Sequence, residues 1–130
     1  MTDFYQLSEQ AQAEAMGELA TAALPLWGLE GSELSLIKYR ENGVFKGISP
    51  GGGRFALRIH RHGYHSDDEL RSELQWMSAL DEFGVAVPQL RPALDGALFR
   101  LVSAAAVPEP RQVDIFEWVD GQPLGSLVVS

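Results

Sequence analysis

Two charged residues, Arg58 and Glu73, stand in apolar surroundings where a charge needs a partner. Arg58 interrupts a run that alternates as a β-strand does, so its side chain faces away from the large apolar residues of that run. Glu73 borders the apolar stripe of a helical pattern, at spacings of three and four residues. The apolar residues are Phe55, Leu57 and Ile59 on the strand, and Leu70, Leu74 and Met77 on the helix. The two charges are therefore candidates to meet across the space between strand and helix.

An ion pair between Arg58 and Glu73 would relieve the cost of burying either charge alone. A guanidinium that is held by a carboxylate is also what an enzyme needs to bind nucleotide phosphates. Two other interpretations stay open: a purely structural salt bridge, and two charges that are solvated separately. The pair thus predicts a candidate phosphate site without distinguishing it from a structural contact.

The elements that would position this pair follow from hydrophobic periodicity and turn residues. The pattern predicts helices at residues 8–24 and 66–83, and strands at residues 33–40, 44–48, 55–60, 97–102 and 113–119. Pro25 ends the first helix, and the capping box that starts at Ser66 begins the second. Antiparallel strands with one helix between them indicate an α+β fold.

The composition narrows the function classes. The chain has 130 residues, of which 45% are hydrophobic and 22% are charged, as in ordinary globular domains. Its net charge of −8 argues against a nucleic-acid partner, because binding to a phosphate backbone needs a surplus of Lys and Arg. There is no cysteine, and no run approaches the roughly 18 apolar residues of a membrane span. We therefore expect no membrane partner and a cytoplasmic location.

Five short motifs follow one another in order along most of the chain. They are Glu41–Phe45 (ENGVF), Phe55–Arg61 (FALRIHR), Ser72–Leu80 (SELQWMSAL), Gly84–Pro88 (GVAVP) and Phe116–Gly121 (FEWVDG). Together they resemble the N-terminal lobe of the aminoglycoside phosphotransferase and homoserine/choline kinase-like family, which has the protein-kinase-like fold. The resemblance implies a five-stranded antiparallel sheet with the second helix packed on it, plus an N-terminal helix. It also implies an N-terminal helical segment at residues 1–28, a nucleotide-binding lobe at 29–121, and the start of a linker to an absent C-terminal lobe at 122–130.

The resemblance implies a role for each matching residue. Ala56 and Arg58 match the strand whose alternate residues line the nucleotide site, where Lys is the common residue at the Arg58 position. Glu73 matches the helix carboxylate that orients this cation. Asn42 lies in the turn that covers the phosphates, although the chain lacks the G-x-G-x-x-G of protein kinases. The hinge, whose backbone groups would bind adenine, matches Phe116, Glu117, Trp118 and Val119.

The implied function is ATP binding for a phosphotransferase that acts on a hydroxyl group of a small molecule. In the family, the catalytic Asp and the Mg²⁺ ligands lie in the C-terminal lobe, and this chain ends at Ser130, where that lobe would begin. No H-x-D-x-x-x-x-N pattern occurs in it. We therefore predict no catalytic and no metal-binding residue in this chain, and we expect the chain alone to be inactive.

Two other hypotheses stay open beside the kinase lobe. The chain could be a non-catalytic module that binds nucleotide weakly or pairs with another chain through the face that a C-terminal lobe would cover. Such an exposed apolar face predicts a dimer. It could also be an unrelated α+β interaction domain in which Arg58 and Glu73 are only structural. The acceptor of the phosphate is not determined by these residues.

Three further patterns have plainer interpretations. His60, His62 and His65 could chelate a metal ion, but a solvated strand end explains them more simply. The glycines at 51–53 lack a following Lys-Ser/Thr and predict a hairpin turn instead of a phosphate loop. Several apolar helix residues are expected in the core, namely Met16, Leu19, Ala23, Trp76 and Leu80.

Overall fold

The strands form one antiparallel sheet, as their alternating pattern predicts. A computed structural model describes residues 8–39, 42–63, 66–84 and 89–118. The strands are β1 (Glu33–Tyr39), β2 (Gly43–Ile48), β3 (Arg54–Ile59), β4 (Leu90–Arg91), β5 (Arg100–Val102) and β6 (Arg111–Glu117). Their order across the sheet is β1-β2-β3-β6-β4, and β5 pairs with β6 beyond the end of β4. The predicted α+β class is confirmed, and the short strand β4 adds a sixth strand to the five expected.

Helix α1 (Glu9–Ala23) begins and ends where its capping residues require. The Ser8 hydroxyl accepts a hydrogen bond from the Ala11 amide at 3.2 Å, which satisfies one of the free amides of the first turn. Pro25 lies in a short 3₁₀ turn, Leu24–Trp27, that follows the helix directly. Gly28, with φ of 70°, ends this turn in the left-handed conformation that glycine adopts without steric cost. The chain is thereby directed into β1.

Helix α2 (Asp67–Glu82) begins with the predicted capping box. The Glu69 amide donates to the Ser66 hydroxyl at 3.1 Å, and the Ser66 amide donates to the Glu69 carboxylate at 2.9 Å. Three acidic residues occupy the first turn, where the helix dipole favours negative charge. These contacts set the start of α2 immediately after the loop that leaves β3.

Two hydrophobic cores lie on opposite faces of the sheet, because neighbouring residues of a strand point to opposite sides. One core joins α1 to Phe55, Leu57 and Ile59 of β3 and to apolar residues of β6. The other joins α2 to the alternate residues of the strands, including Ala56 and Phe116. The second face is the one on which Arg58 lies, so α2 covers the candidate site.

Two predicted inward residues are instead exposed. Trp76 was expected in the core with Leu80, but 63% of its side chain is exposed. The helix packs through Leu70, Leu74 and Met77, and Trp76 lies outside that stripe. Leu36, which the alternation of residues 33–40 predicts to face inward, is also 43% exposed, on the edge strand β1.

Candidate functional site

The candidate site lies on the sheet face beneath α2, where adjacent strands bring alternate residues side by side. Arg58 of β3 is directly opposite Val44 of β2 and Asp114 of β6. Two residues earlier in β3, on the same face, Ala56 is opposite Lys46 of β2 and Phe116 of β6. Directly opposite residues of an antiparallel pair share a face. These two rows therefore form one continuous surface that contains two of the predicted site residues from β3 and one from the predicted hinge.

Arg58 is held by Asp114 in a forked ion pair. Its Nε donates to Asp114 Oδ1 at 3.0 Å, and its Nη2 donates to Oδ2 at 2.8 Å. Both side chains are almost completely buried, with 1% and 0% of their surface exposed. Planar guanidinium and carboxylate groups match in this geometry, which makes the contact both strong and directional. The guanidinium is thus fixed before any ligand is present.

His60 extends this buried ion pair into a three-residue network. Its Nε2 lies 2.7 Å from Asp114 Oδ2, and only 2% of the residue is exposed. The expectation that His60 belongs to a solvated strand end is therefore wrong. His60 follows Arg58 by two residues and so points to the same face of the sheet, where Asp114 is within its reach.

Opposing physical effects act on the pKa values of this network. Burial lowers the pKa of Arg58, but the charge of Asp114, the hydrogen bond to it and the charge of Glu73 together raise that pKa above its ordinary value. Burial raises the pKa of Asp114, and the charges of Arg58 and His60 outweigh it and hold that pKa well below its ordinary value. Arg58 and Asp114 are consequently both ionised at neutral pH.

Glu73 lies close to the Arg58 network without accepting a hydrogen bond from it, whereas the sequence predicted an ion pair between Arg58 and Glu73. Both of its carboxylate oxygens are buried, and neither accepts a hydrogen bond from the residues that the structure describes. Its charge is nevertheless close enough to favour the charged form of Arg58. The carboxylate that holds Arg58 directly is therefore Asp114, because β6 places it opposite Arg58 in the sheet. A role for Glu73 in orienting Arg58 toward a ligand stays a prediction.

The hinge residues alternate between the two faces of the sheet. Phe116 is fully buried on the site face, and the Arg58 guanidinium carbon lies 5.3 Å from the centre of its ring. The Glu117 carboxylate is held by Arg91 on β4 through two hydrogen bonds of 2.8 and 2.9 Å. Trp118 is partly buried, and the Lys46 ammonium lies 4.9 Å from the centre of its ring. Of these side chains, those of Phe116 and Trp118 are on the site face.

Backbone contacts limit how the described hinge residues could bind a base. The Glu117 amide donates to the Gln89 carbonyl at 2.8 Å, and the Trp118 amide donates to the Arg54 carbonyl at 3.4 Å. The amides of Glu117 and Trp118 are therefore already engaged, and hydrogen bonding of the hinge backbone to adenine stays a prediction. Val119, the last predicted hinge residue, lies outside the described residues.

Asn42 occupies the start of β2 and is 9% exposed. Its Oδ1 accepts a hydrogen bond from the Arg61 amide at 3.3 Å, which joins the start of β2 to the segment after β3. This contact stabilises the turn region, and the phosphate-covering role of Asn42 stays a prediction. Glu41 of the same motif lies outside the described residues.

No metal-binding cluster and no membrane-spanning helix occur in the described parts of the chain. Residues 8–39, 42–63, 66–84 and 89–118 contain no group of three or more His, Asp or Glu side chains that could hold a metal ion. Within the same ranges, neither helix is long and apolar enough to cross a bilayer. His65 lies outside these ranges.

Sequence reasoning missed two residues of this surface, Asp114 and Lys46. Asp114 interrupts an apolar run, Val113–Phe116, in the same way that Arg58 interrupts its own. A single charge within an apolar strand needs a partner, so this shared signal could have paired the two residues. Lys46 carries no such signal, because a lysine in a strand of mixed character is usually exposed.

Comparison with known proteins supports the resemblance. Residues 38–129 match the model of the phosphotransferase enzyme family called APH, and the chain belongs to this family. An uncharacterised protein of Deinococcus radiodurans is 32% identical over 106 residues, which cover 82% of this chain and 30% of that protein.

Two solved structures are similar in fold. A microcompartment-associated aminopropanol kinase has 35% identity and a TM-score of 0.70, over 82% of this chain and 33% of that one. An amicoumacin kinase, solved with AMP-PNP, Ca²⁺ and amicoumacin, has 15% identity and a TM-score of 0.62, over 91% of this chain and 33% of that one. The chain therefore spans about a third of the length of these relatives and has the fold of the kinase-like N-terminal lobe.

Proposed function

We propose that this chain is the ATP-binding lobe of a phosphotransferase that transfers phosphate to a hydroxyl group of a small molecule. The observation that carries the proposal is the surface beneath α2, where a fixed cation, a small residue and two aromatic rings lie in adjacent rows. Ala56 and Phe116 are buried in this surface beside Arg58, and Trp118 at its edge offers a partly exposed aromatic ring to a base. Membership of the APH family supports the same conclusion.

The proposed site comprises Asn42, Ala56, Arg58, Glu73, Phe116, Glu117, Trp118 and Val119. Arg58 and the backbone of the hinge would bind phosphate and base, respectively. The buried carboxylate oxygens of Glu73, which accept no hydrogen bond within the described chain, fit a site that is completed by a further group. ATP would supply the transferable phosphoryl group when bound.

The residues that position the hydroxyl acceptor and those that bind Mg²⁺ would lie outside these 130 residues. A positioned nucleophile and bound Mg²⁺ are both required for in-line transfer of the γ-phosphoryl group. We propose that a C-terminal lobe, of the kind found in relatives about three times longer, provides both. The chain by itself would then bind nucleotide without transferring phosphate. A cytoplasmic location stays a prediction of the sequence.

Calorimetric titration with Mg-ATP, adenosine and inorganic triphosphate tests this proposal. We expect saturable binding of Mg-ATP with Kd of about 1 mM or tighter, and weaker binding of triphosphate, because only ATP occupies both the base and the phosphate regions. Equal affinity for ATP and triphosphate would indicate a general anion site instead. Absence of binding at an ATP concentration of about 10 mM would contradict the proposal.

Two tryptophans provide matched variants for the same titration. Trp118→Ala removes aromatic surface from the proposed site and is expected to weaken ATP binding about 5-fold or more, as loss of a stacked ring does elsewhere. Trp76→Ala removes the same side chain from the exposed outer surface of α2 and should leave the affinity unchanged. Equal losses in both variants would contradict the location of the site.

One observation favours the second candidate function, a protein-interaction module. Trp76 and Phe83 are 63% and 87% exposed and lie seven residues apart on one side of α2 and its last turn. Large exposed apolar side chains that share a helix face are typical of an interaction surface.

A further inference from the structure

The positive charge of Arg58 is largely neutralised before a ligand arrives. Asp114 holds its Nε and Nη2, and the guanidinium is 1% exposed. Glu73 adds a second buried carboxylate close by. The carboxylates of Asp114 and Glu73 thus lie around Arg58 and leave little of its positive charge to attract an anion. A triphosphate, which is itself strongly anionic, would gain little attraction in this region unless an accessible cation were near it.

Lys46 is a second cation on the same sheet face, and it differs from Arg58 in its exposure and in its charge partners. It is partly exposed, and within the described residues its ammonium makes no ion pair. Its position opposite Ala56 makes it a diagonal neighbour of Arg58, at a distance of about 7 Å between the two backbones. A lysine side chain is long and flexible enough to cover that distance.

The contact that Lys46 makes is with the ring of Trp118, at 4.9 Å from the ring centre. A cation over a partly exposed ring contributes little stability, so it can be replaced by a ligand without a large penalty. The ammonium therefore lies beside the partly exposed hinge residue Trp118, on the sheet face that also carries the buried Arg58 network.

We propose that Lys46 is a phosphate-binding residue of this lobe, and that its ammonium is the cation that the phosphates of a bound nucleotide contact first. This inference rests on the proposed function and adds a ligand-binding residue to it. Lys46 would leave the Trp118 ring and bind a phosphate oxygen, while the vacated ring face becomes available to the base. Arg58 would lie beneath, fixed by Asp114.

The test compares Lys46→Met with Lys38→Met, since these are the two lysines of the chain. Methionine retains most of the apolar stem and removes the charge in both variants. Affinities for Mg-ATP and for adenosine are measured by calorimetry. We expect Lys46→Met to weaken Mg-ATP binding about tenfold, as the loss of one charge-assisted contact does, and to leave adenosine binding unchanged or tighter. Lys38→Met, on the edge strand, should change neither affinity by more than about twofold.

A conservative variant and salt dependence separate a direct contact from a structural effect. Lys46→Arg should retain most of the Mg-ATP affinity, because the charge and the reach are preserved. Raising the salt concentration should weaken Mg-ATP binding less in Lys46→Met than in the unaltered chain, since one ionic contact is missing.

Each other outcome contradicts a specific statement. Unchanged Mg-ATP affinity in Lys46→Met, with binding present in the unaltered chain, overturns the role of Lys46 and leaves the proposed function standing. Equal loss for ATP and adenosine shows a structural effect and also overturns it. Equal loss in Lys38→Met shows a general charge effect, with the same consequence. Absence of all nucleotide binding in the unaltered chain overturns both proposals together.

Discussion

At the scale of single residues, the most consequential contact is the buried ion pair of Arg58 and Asp114. Burial of two charges costs several kcal/mol, and this cost is offset here by the forked geometry and by His60 on the same carboxylate. The arrangement is sensitive to loss of one partner, because the remaining charge would stay buried without compensation. Stability of the lobe and position of the guanidinium therefore depend on the same carboxylate.

Asp114→Asn should destabilise the chain by about 3–5 kcal/mol at pH 7, since it leaves the guanidinium of Arg58 without a counter-charge. Asp68→Asn is the matched control, because its ion pair with Arg71 is exposed and should contribute less than about 1 kcal/mol. Urea unfolding of both variants measures the difference. The double variant Arg58→Met/Asp114→Leu, which leaves neither charge buried, should recover most of the lost stability. Equal stability of the two single variants would contradict the importance of the pair.

The same carboxylate predicts a dependence of stability on pH. The pKa of Asp114 is lower in the folded chain than in the unfolded one, so its contribution is complete above the unfolded value of about 4. It is lost progressively as the pH falls from there toward the folded pKa. The difference in unfolding free energy between the unaltered chain and Asp114→Asn should therefore shrink between pH 5 and pH 2. A difference that is constant over this range would show that the ionised carboxylate is not responsible.

At the scale of elements, the pairing of β2 with β3 depends on a close approach between Gly47 and Phe55. These residues are directly opposite each other in the sheet. A Cβ atom added at Gly47 would lie 2.1 Å from the end of the Phe55 ring, and this ring is fully buried in the core beneath α1. A side chain at this position therefore requires the packed Phe55 ring or the backbone to shift. The register of the two strands that carry Lys46 and Arg58 is thereby defined.

Gly47→Ala should destabilise the chain by about 1–3 kcal/mol, the usual cost of overpacking a filled core. Gly17→Ala is a control of opposite sign, because this helical glycine of α1 has no atom within 4 Å of an added Cβ. Replacement there should stabilise the chain by about 0.5–1 kcal/mol through the better helix propensity of alanine. Thermal unfolding of both variants measures these two changes in stability. A neutral result for Gly47→Ala would mean that the Phe55 ring can move.

At the scale of the whole molecule, the chain has an apolar surface on α2 that its own fold leaves uncovered. Trp76 and Phe83 are exposed on the side of α2 away from Leu70 and Leu74. In relatives of about three times this length, other parts of the protein are available to contact the lobe. For this chain, the predicted partner of that surface is a second copy.

Sedimentation equilibrium should show that the average mass rises with concentration, because pairing buries these side chains. Trp76→Lys and Phe83→Lys should each reduce the association, since a charge would have to be desolvated in the contact. Leu101→Lys, at a residue that is 53% exposed on β5, is the control and should leave the association unchanged. A constant monomer mass up to about 1 mM, where an interaction would contribute only some 4 kcal/mol, would contradict the prediction.

The elements themselves were predictable because their signals are local. Periodicity and capping residues predicted α1 and α2 to within one residue at each end, and alternation predicted β1, β2 and β3 equally well. The strand β4 was not predictable, because two residues carry no period, and pairing with β6 alone defines it. Trp76 was wrongly predicted to be buried, because a helical period does not show how much of the helix surface the sheet will cover.

The sequence by itself determined the family, the order of the elements and the faces on which Ala56, Arg58 and Phe116 lie, since these follow from neighbouring residues. Only the tertiary structure decided which carboxylate holds Arg58 and which cation stays accessible. Asp114 is 56 residues away along the chain, and the strand pairing that places it opposite Arg58 results from packing across the whole sheet. Glu73, at a shorter separation, had equally suitable chemistry, so no local pattern could have chosen between the two.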